Sequence, residues 1–394
     1  MDNAPANATA PYLDPVALTQ RLVRAKSVNP PGDTVEVVEV LSSFLKPCGY
    51  SLTTVETPGG GRNLLAVLKG SGQRPALCLT GHMDTVPLGA TPWSVDPFGG
   101  EIRSGRLYGR GASDMKAGVS AMVSAAVAMA EIADRAGDVV LILTAAEETG
   151  CLGAKALAAS GLLSRPAGAL LVAEPTGCRP LLGHKGALWV RAGFTGKAAH
   201  GSMPQHGVNA VDMAVRAATL LPQLLADREP HPFLGPPTLS ICTFQGGGKV
   251  NVVPDKAVVE LDIRTVPGMN HDAVLKALQL LWPQAALQVL TDVPPVLTDS
   301  DDPFVSSALN VLAALEGARP TPGSVSFFTD ASVLAEALDN PPVLLFGPGE
   351  SEQAHQTDES CPVDAITMAR NFYLAMAVVW LQPSAAGQFT AAQH

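Results

Sequence analysis

Residues 76–84 read ALCLTGHMD, an apolar run that ends in a histidine, His82, and an aspartate, Asp84. A nearly uninterrupted apolar run of this length is typical of a strand that is covered by other elements on both faces. Val139–Thr144 and Ala169–Ala173 have the same character, and each is followed within a few residues by glutamate. We therefore predict a sheet whose strands carry polar side chains at their carboxyl ends.

Helical patterns separate these strands. Asp14-Pro15 is a typical helix start, because aspartate can cap the first turn and proline fits its first position. Further helical segments begin near Ala117 and Gly153, and a later apolar strand is predicted at Val343–Phe346. Strands that alternate with helices in this way predict an α/β sheet with helices on both faces, which is a three-layer α/β/α domain.

The pattern changes after Gly186, where six elements follow in the order β-α-β-β-α-β that is typical of a ferredoxin-like unit. We predict an inserted α+β domain at residues 185–297, within a discontinuous larger domain at 11–184 and 298–383. The termini, 1–10 and 384–394, are expected to be loose. The predicted elements of the inserted domain are Ala187–Phe194, Val208–Leu225, Thr238–Phe244, Ala257–Arg264, Asp272–Trp282 and Ala286–Leu290.

Composition argues against several classes of protein. The 394 residues carry a net charge of −10 without a basic stripe, so we expect no binding to nucleic acid. The longest weakly polar run, 117–130, is shorter than the ~20 apolar residues of a membrane-spanning helix, so we expect no membrane partner. The N-terminus lacks the pattern of a secretory signal, and the six cysteines are dispersed without a C-x-x-C pair. These features favour reduced thiols and a cytoplasmic location.

The acids and histidines near the strand ends form one candidate site. The side chains that follow four apolar strands are expected to converge at the carboxyl edge of the sheet: His82, Glu147, Glu148, Glu174 and His355. Asp114 adds a carboxylate from the glycine-bearing loop GRGASD, residues 109–114. Converging carboxylates repel one another unless cations lie between them. Histidine and carboxylate donors without cysteine suit zinc, with cobalt and manganese as alternatives.

Two histidines and three carboxylates are enough for two divalent ions if one carboxylate bridges them. Asp84 follows His82 by two residues, so in an extended chain both side chains point the same way and Asp84 can accept the second imidazole N–H. The adjacent Glu147 and Glu148 are expected to point in different directions. One of them can then bind metal while the other acts as a general base.

Five stretches of the chain, taken in order, resemble the metal motifs of the dimetal aminoacylase and carboxypeptidase family of metallopeptidases. This family includes the acetylornithine deacetylase and succinyl-diaminopimelate desuccinylase group. The stretches are LTGHMDTVP (79–87), GRGASDMK (109–116), AEETG (146–150), AEPT (173–176) and QAHQTDE (353–359). The resemblance covers nearly the whole chain. It implies a zinc-hydrolase catalytic domain with an inserted lid and dimerisation domain.

The resemblance also implies which residues bind the two metals. Asp114 would bridge them. His82 and Glu174 would complete the coordination of one metal, and Glu148 and His355 that of the other.

Other residues match positions that act on the substrate. Glu147 would be the general base. The segment AHGS, residues 199–202, resembles the one whose histidine, here His200, helps to stabilise the oxyanion, often across a dimer. Asn251 and Arg264 match lid positions that hold the carboxylate of the substrate.

The resulting expectation is a two-metal hydrolase that cleaves the amide bond of an N-acyl amino acid or a related small amide with a metal-activated water. A dipeptidase or a glutamate-type carboxypeptidase would use the same machinery and stays open. A homodimer through the inserted domain is also expected. A metal-dependent phosphoesterase is less favoured, because no lysine or arginine cluster faces a phosphate. A non-catalytic binding module is less favoured because the base and the ligands are intact.

Single residues allow structural interpretations as well. Asp114 could cap the helix that follows it, and Arg264 could be an ion-pair partner on a strand. His200 could lie in a simple turn. The glycines at 246–248 lack the lysine-serine ending of a phosphate-binding loop, which favours a hairpin connection.

Overall fold

The structure, a computed structural model, describes residues 13–163 and 166–382. The termini that we expect to be loose, 1–10 and 384–394, lie outside these residues. In chain order the α-helices are α1 (Pro15–Arg24), α2 (Val35–Leu45), α3 (Ala117–Met129), α4 (Leu152–Ala159), α5 (Ala210–Ala218), α6 (His271–Leu281), α7 (Pro303–Glu316), α8 (Ala331–Ala337) and α9 (Val363–Leu381).

Strands alternate with these helices along the chain. In order they are β1 (Ser51–Glu56), β2 (Arg62–Leu68), β3 (Ala76–His82), β4 (Ile102–Arg103), β5 (Arg106–Tyr108), β6 (Val139–Thr144), β7 (Ala167–Val172), β8 (Leu181–His184), β9 (Gly186–Thr195), β10 (Ala199–His200), β11 (Thr238–Gly246), β12 (Val252–Val253), β13 (Lys256–Thr265), β14 (Ala286–Val293), β15 (Val296–Leu297), β16 (Gly323–Val325), β17 (Val343–Leu345) and β18 (Ser360–Pro362). The short strands β4, β5 and β18 form a small sheet of their own. This sheet was not predicted from the sequence, because two or three residues carry no readable periodicity.

The chain divides into two compact units. The first runs up to Leu182 and resumes at Thr298–Gly323 and from Thr329 onward. The second consists of Gly183–Leu297 and Ser324–Phe328. The short segment 324–328 was expected in the larger domain, and no local pattern distinguishes it from its neighbours.

The main sheet of the first unit explains why its polar strand ends meet. Six of its strands follow the order β1-β2-β6-β3-β7-β17. β1 and β2 are antiparallel additions, whereas β3 pairs in parallel with both β6 and β7, and β17 pairs in parallel with β7. The four strands that precede the candidate site are therefore adjacent and parallel. Their carboxyl ends lie on one edge of the sheet, where ligands bind in open α/β sheets.

Two groups of helices pack on this sheet. One group contains α1, α2, α3, α7 and α9, and α4 and α8 form the other. α3 is buried almost all round, and its Gly118 approaches the chain so closely that an added Cβ would lie 2.0 Å from the carbonyl oxygen of Ala173. The α/β fold class is confirmed. In the part of the chain described here, no helix is both long and apolar enough to span a membrane.

The second unit contains an antiparallel sheet in the order β11-β13-β9-β14, with α5 and α6 packed against one of its faces. Its main elements follow the β-α-β-β-α-β order that the sequence analysis indicated. α5 is shorter than the predicted helix at Val208–Leu225, and it gives way to a 3₁₀ turn at Leu221–Leu224. Pro222 explains this difference, because proline lacks the N–H that would continue the helix.

Candidate metal centre

The candidate site is built at the carboxyl edge of the four parallel strands. β3 ends on His82 itself, and Glu147 and Glu148 follow β6 within four residues. Glu174 follows β7, and His355 lies in the turn region after β17. Sheet topology thus brings side chains from distant parts of the sequence to one edge.

Asp114 lies between the two histidines of this edge. Its Oδ1 is 3.0 Å from Nε2 of His82, and its Oδ2 is 3.4 Å from Nε2 of His355. The same nitrogen of His355 is 3.1 Å from Oε1 of Glu148. The potential ligand atoms of His82, Asp114 and Glu148 all lie within 4.8 Å of one another. Each carboxylate oxygen of Asp114 therefore faces a different imidazole.

Glu174 and Glu147 border this group. Both are buried, with exposed fractions of 5% and 6%. Glu174 is not one of the three residues whose ligand atoms cluster within 4.8 Å. Its charge nonetheless raises the pKa of His82, although burial and Asp114 affect that pKa more strongly.

Two oxygens of Asp84 lie near the imidazole of His82, and the nearer one is not the carboxylate oxygen that its spacing predicted. Nδ1 of His82 is 3.0 Å from the main-chain oxygen of Asp84 and 3.7 Å from its Oδ1, so the main chain is the nearer acceptor. The carboxylate accepts hydrogen bonds from Nδ2 of Asn29, at 3.0 Å, and from the main-chain N–H of Glu147, at 3.2 Å. The reason is that β3 ends at His82, so the side-chain alternation of an extended strand no longer applies to Asp84.

The two adjacent glutamates differ in the groups that surround them. Glu148 is within hydrogen-bond distance of His355. For Glu147, burial affects the pKa most strongly, and the charges of His82 and Glu174 come next. Ala146, just before them, adopts a left-handed backbone with φ of 57°.

Burial and charge act against each other on these groups. Burial raises the pKa of Glu147 and Glu174 well above the ordinary range of glutamate, and it also raises the pKa of Glu148. Burial alone would lower the pKa of His82, but the hydrogen bond and the charge of Asp114 outweigh it, so this pKa is raised. The carboxylates therefore resist ionisation unless positive charge lies near them.

The pKa values of His355 and Asp114 show the attraction between the histidines and the carboxylates. Hydrogen bonds to Asp114 and Glu148 raise the pKa of His355 to about 10. Burial would raise the pKa of Asp114, but its hydrogen bonds with His355 and His82 hold it below the ordinary range. The cluster thus favours positive charge between its carboxylates, which a divalent ion supplies. Its nitrogen and oxygen donors, without cysteine, fit zinc, cobalt or manganese.

Two predicted residues of the second unit lie next to each other. His200 is exposed, and its Nδ1 is 2.7 Å from Oγ of Ser202 and accepts the N–H of that residue at 3.1 Å. Gly201 donates its N–H to the main-chain oxygen of Asn251 at 2.8 Å. The pairing of β10 with β12 brings these two positions together.

Arg264 lies elsewhere in the second unit, on β13. Its Nη2 donates to Oδ2 of Asp262 at 2.9 Å, and its guanidinium carbon lies 5.6 Å from the ring centroid of Phe328. The structure therefore contains an ion pair of Arg264, with Asp262 as its partner. The guanidinium is partly buried, with 22% of the side chain exposed.

Some residues near the site were missed as functional candidates. Asn29, Arg110 and Glu359 are buried and hydrogen-bonded to segments that carry site residues. Arg110 and Glu359 lie in two of the stretches quoted for the family resemblance, so a signal was present for both. For Asn29, the contact with Asp84 joins distant parts of the sequence and leaves no local pattern.

The fold and the site are those of a metal-dependent hydrolase of amide or peptide bonds. Residues 78–378 match the profile of the Peptidase family M20/M25/M40, which is more than half of the chain. The chain belongs to this family, as the resemblance of its motifs implied.

Relatives and solved structures agree with this assignment. The chain is 32% identical over 380 residues to a probable succinyl-diaminopimelate desuccinylase of Staphylococcus epidermidis, covering 88% of this chain and 92% of that protein. It is 30% identical over 346 residues to the acetylornithine deacetylase of Vibrio campbellii, covering 84% and 88%. Its fold is similar to that of an M20 family metallo-carboxypeptidase from Sulfolobus solfataricus, with a TM-score of 0.78, 18% identity and coverage of 93% and 99%.

Proposed function

We propose that this protein is a two-metal deacylase that cleaves the amide bond of an N-acyl amino acid. The observation that carries the proposal is the position of Asp114, whose two carboxylate oxygens face the histidines His82 and His355. A carboxylate placed between two imidazoles in this way suits a bridge between two cations. The names of the two sequence relatives, a desuccinylase and a deacetylase, support the choice of a deacylase over other hydrolases.

The proposed ligands divide into two sets around Asp114. His82 and Glu174 would hold one metal, and Glu148 and His355 the other. We propose zinc for both positions, with cobalt or manganese as alternatives. When bound, two such ions polarise an amide carbonyl and make water a better nucleophile at neutral pH.

Glu147 is the proposed general base. It would take a proton from the attacking water and pass it to the leaving amine. Its main-chain N–H donates to Asp84, which is itself hydrogen-bonded to Asn29, and these contacts support a fixed position for the main chain at Glu147. Glu148, turned toward His355, remains available as a ligand.

The second unit would act on the substrate. His200 is the proposed oxyanion donor, because Ser202 occupies its Nδ1 and leaves Nε2 to donate. Asn251 and Arg264 would hold the carboxylate of the substrate, a task that suits the planar fork of arginine. The roles of this unit as a lid and in a homodimer, and the cytoplasmic location, stay predictions.

A dipeptidase or carboxypeptidase is the second candidate function. The likeness to the metallo-carboxypeptidase favours it only at the level of the fold. Arg264 would serve both candidates, since an N-acyl amino acid and a peptide each end in a carboxylate. The two functions differ in the group on the other side of the scissile bond.

The test is hydrolysis by metal-free protein to which zinc, cobalt or manganese is restored. The panel contains N-acetylornithine, N-succinyl-diaminopimelate, other N-acyl amino acids and dipeptides, and amine release is measured. We expect metal-dependent turnover of N-acyl amino acids. Turnover of dipeptides alone would select the second candidate, and no turnover of any compound by protein that holds two metals would refute both.

A further inference from the structure

The carboxylate of Glu359 is surrounded by hydrogen-bond donors from the loop that carries Asp114. Its Oε1 accepts the main-chain N–H groups of Ser113, at 2.8 Å, and of Asp114, at 2.9 Å. Its Oε2 accepts the N–H of Gly111 at 2.9 Å and Nη1 of Arg110 at 2.6 Å. Both Glu359 and Arg110 are 1% exposed.

This arrangement gives the buried carboxylate four hydrogen-bond donors. Several main-chain N–H groups that point to one place form a concave anion-binding site, and here a side chain of the protein occupies it. The guanidinium of Arg110 supplies the opposite charge at short distance, and charge-assisted bonds of this kind are stronger than neutral ones. The loop that carries Asp114 is thus held in one conformation by Glu359.

Arg110 extends the same connection to two other segments. Its Nη1 donates to the main-chain oxygen of Gln356 at 3.2 Å, next to His355, and its Nη2 donates to that of Pro87 at 3.1 Å. Pro87 follows the segment of His82 and Asp84 by only a few residues. One buried pair therefore joins three of the segments that carry proposed ligands.

A second set of hydrogen bonds joins the loop to the segment that ends at Glu359. The hydroxyl of Ser113 donates to the main-chain oxygen of Glu350 at 2.9 Å and accepts its N–H at 2.8 Å. Gly349 lies so close that an added Cβ would be 2.1 Å from the main-chain oxygen of Ser113. The segment from Gly349 to Glu359 therefore contacts the loop at both of its ends.

We propose that Glu359 is a positioning residue that sets the affinity of the protein for divalent metal. It does so by fixing the carboxylate of Asp114 relative to His355, which lies four residues before Glu359. Glu359 binds no metal and touches no substrate in this scheme. The inference rests on the proposed function only in taking Asp114 and His355 as metal ligands.

A purely structural role would predict a different result. A buried ion pair is by itself weak support for stability, and its loss destabilises because one charge remains unpaired. If Glu359 served stability alone, its substitution would lower the melting temperature and leave the metal affinity of the folded protein unchanged. Metal affinity therefore separates the two roles.

The experiment uses the full chain with Glu359→Gln. The amide nitrogen of glutamine would face two donors in either orientation, so the loop would lose part of its anchor. We expect the affinity for Co²⁺, measured by titration with the visible absorption of bound cobalt as readout, to fall about 10–100-fold, with a changed spectrum. Tyr50→Phe is the matched control, because it removes a buried hydrogen bond to Ala126 of 2.9 Å far from the site and should leave affinity and spectrum unchanged.

Unchanged affinity and spectrum in Glu359→Gln would overturn the inference. Should this variant not fold, Glu359→Asp is measured instead. Aspartate keeps the charge but is one methylene shorter, so we expect a smaller loss of affinity for Co²⁺. An affinity equal to that of the wild-type protein would overturn the inference in this variant too. A wild-type protein that binds no Co²⁺ would overturn the proposed metal centre as well, which distinguishes the two failures.

Discussion

Two candidate residues of the first compact unit, His82 and Glu147, and two of the second, His200 and Asn251, lie in opposite environments. In the first unit, His82 and Glu147 are 2% and 6% exposed and lie at or just beyond the ends of buried strands. In the second unit, His200 and Asn251 are exposed and lie at or beside short strands. Buried groups at strand ends are held by packing, so they suit the reacting centre. Exposed groups on short strands are free to meet a substrate. The contrast predicts different consequences of substitution in the two units.

The largest expected effect belongs to the first unit. Glu147→Gln should lower kcat about 10²–10⁴-fold while the protein keeps its metal, because the amide cannot take up the proton of the attacking water. The measurement is turnover of the best substrate of the panel together with metal content. Near wild-type hydrolysis by the metal-loaded variant would show that the buried centre does not contain the base.

A smaller effect is expected from the exposed histidine of the second unit. His200→Ala should lower kcat about 10²-fold through loss of one donor to the developing oxyanion, and the metal affinity should not change. His206→Ala is the control, since His206 is an exposed histidine a few residues away. Loss of metal in His200→Ala would break the contrast between the units, and equal activity of both variants would exclude His200 from the reaction.

The third effect should appear in substrate binding. Arg264→Met should raise KM about 10–100-fold with little change in kcat, because a charged hydrogen bond contributes roughly 1.5–3 kcal/mol and is present before and during the reaction. Arg191→Met is the control. It removes an arginine from the same face of the sheet, where Arg191 pairs with Glu260 at 2.8 Å. A KM unchanged by the loss of Arg264, or raised equally by both substitutions, would assign Arg264 to its ion pair with Asp262 alone.

The same contrast explains how much the sequence could predict. In the first unit, apolar runs such as Val139–Thr144 identified strands that are covered on both faces, and the acids after them identified the edge. The α/β fold was therefore accessible from periodicity alone. Strand β1, at the edge of the sheet, is largely exposed and lacks the apolar run, so the analysis missed it.

Contacts between residues that are far apart in the sequence could not be predicted from local patterns. Glu359 is separated by more than 240 positions from the loop residues that it contacts, and Asn29 by 55 from Asp84. No local pattern records such a pairing. The spacing of His82 and Asp84 was readable, but the nearer acceptor of the imidazole is the main-chain oxygen of Asp84 rather than its carboxylate, because the strand ends between them. Residue spacing predicts contacts only while the regular element continues.

The histidines of the two units extend the comparison to their pKa values. Carboxylates raise the pKa of the buried His82 and of the exposed His355 in the first unit, whereas burial lowers the pKa of His184 in the second unit to about 4. Folded His184 therefore resists the proton that the unfolded chain binds below its ordinary pKa of 6.5. Between these values the unfolded state holds more protons, so stability falls as the pH falls from 6.5 to about 4.

His184→Gln tests this assignment. Each pKa unit corresponds to about 1.4 kcal/mol, so the wild-type protein should lose roughly 3 kcal/mol of unfolding free energy over this window through His184 alone. The variant should lack this part of the slope, which denaturant unfolding at several pH values measures. The hydrogen bond between Nδ1 of His184 and the main-chain oxygen of Lys185, at 3.0 Å, opposes the effect of burial but does not cancel it. Parallel pH profiles of the two proteins would mean that His184 binds its proton at the same pKa in the folded and unfolded states, so that burial does not lower its pKa.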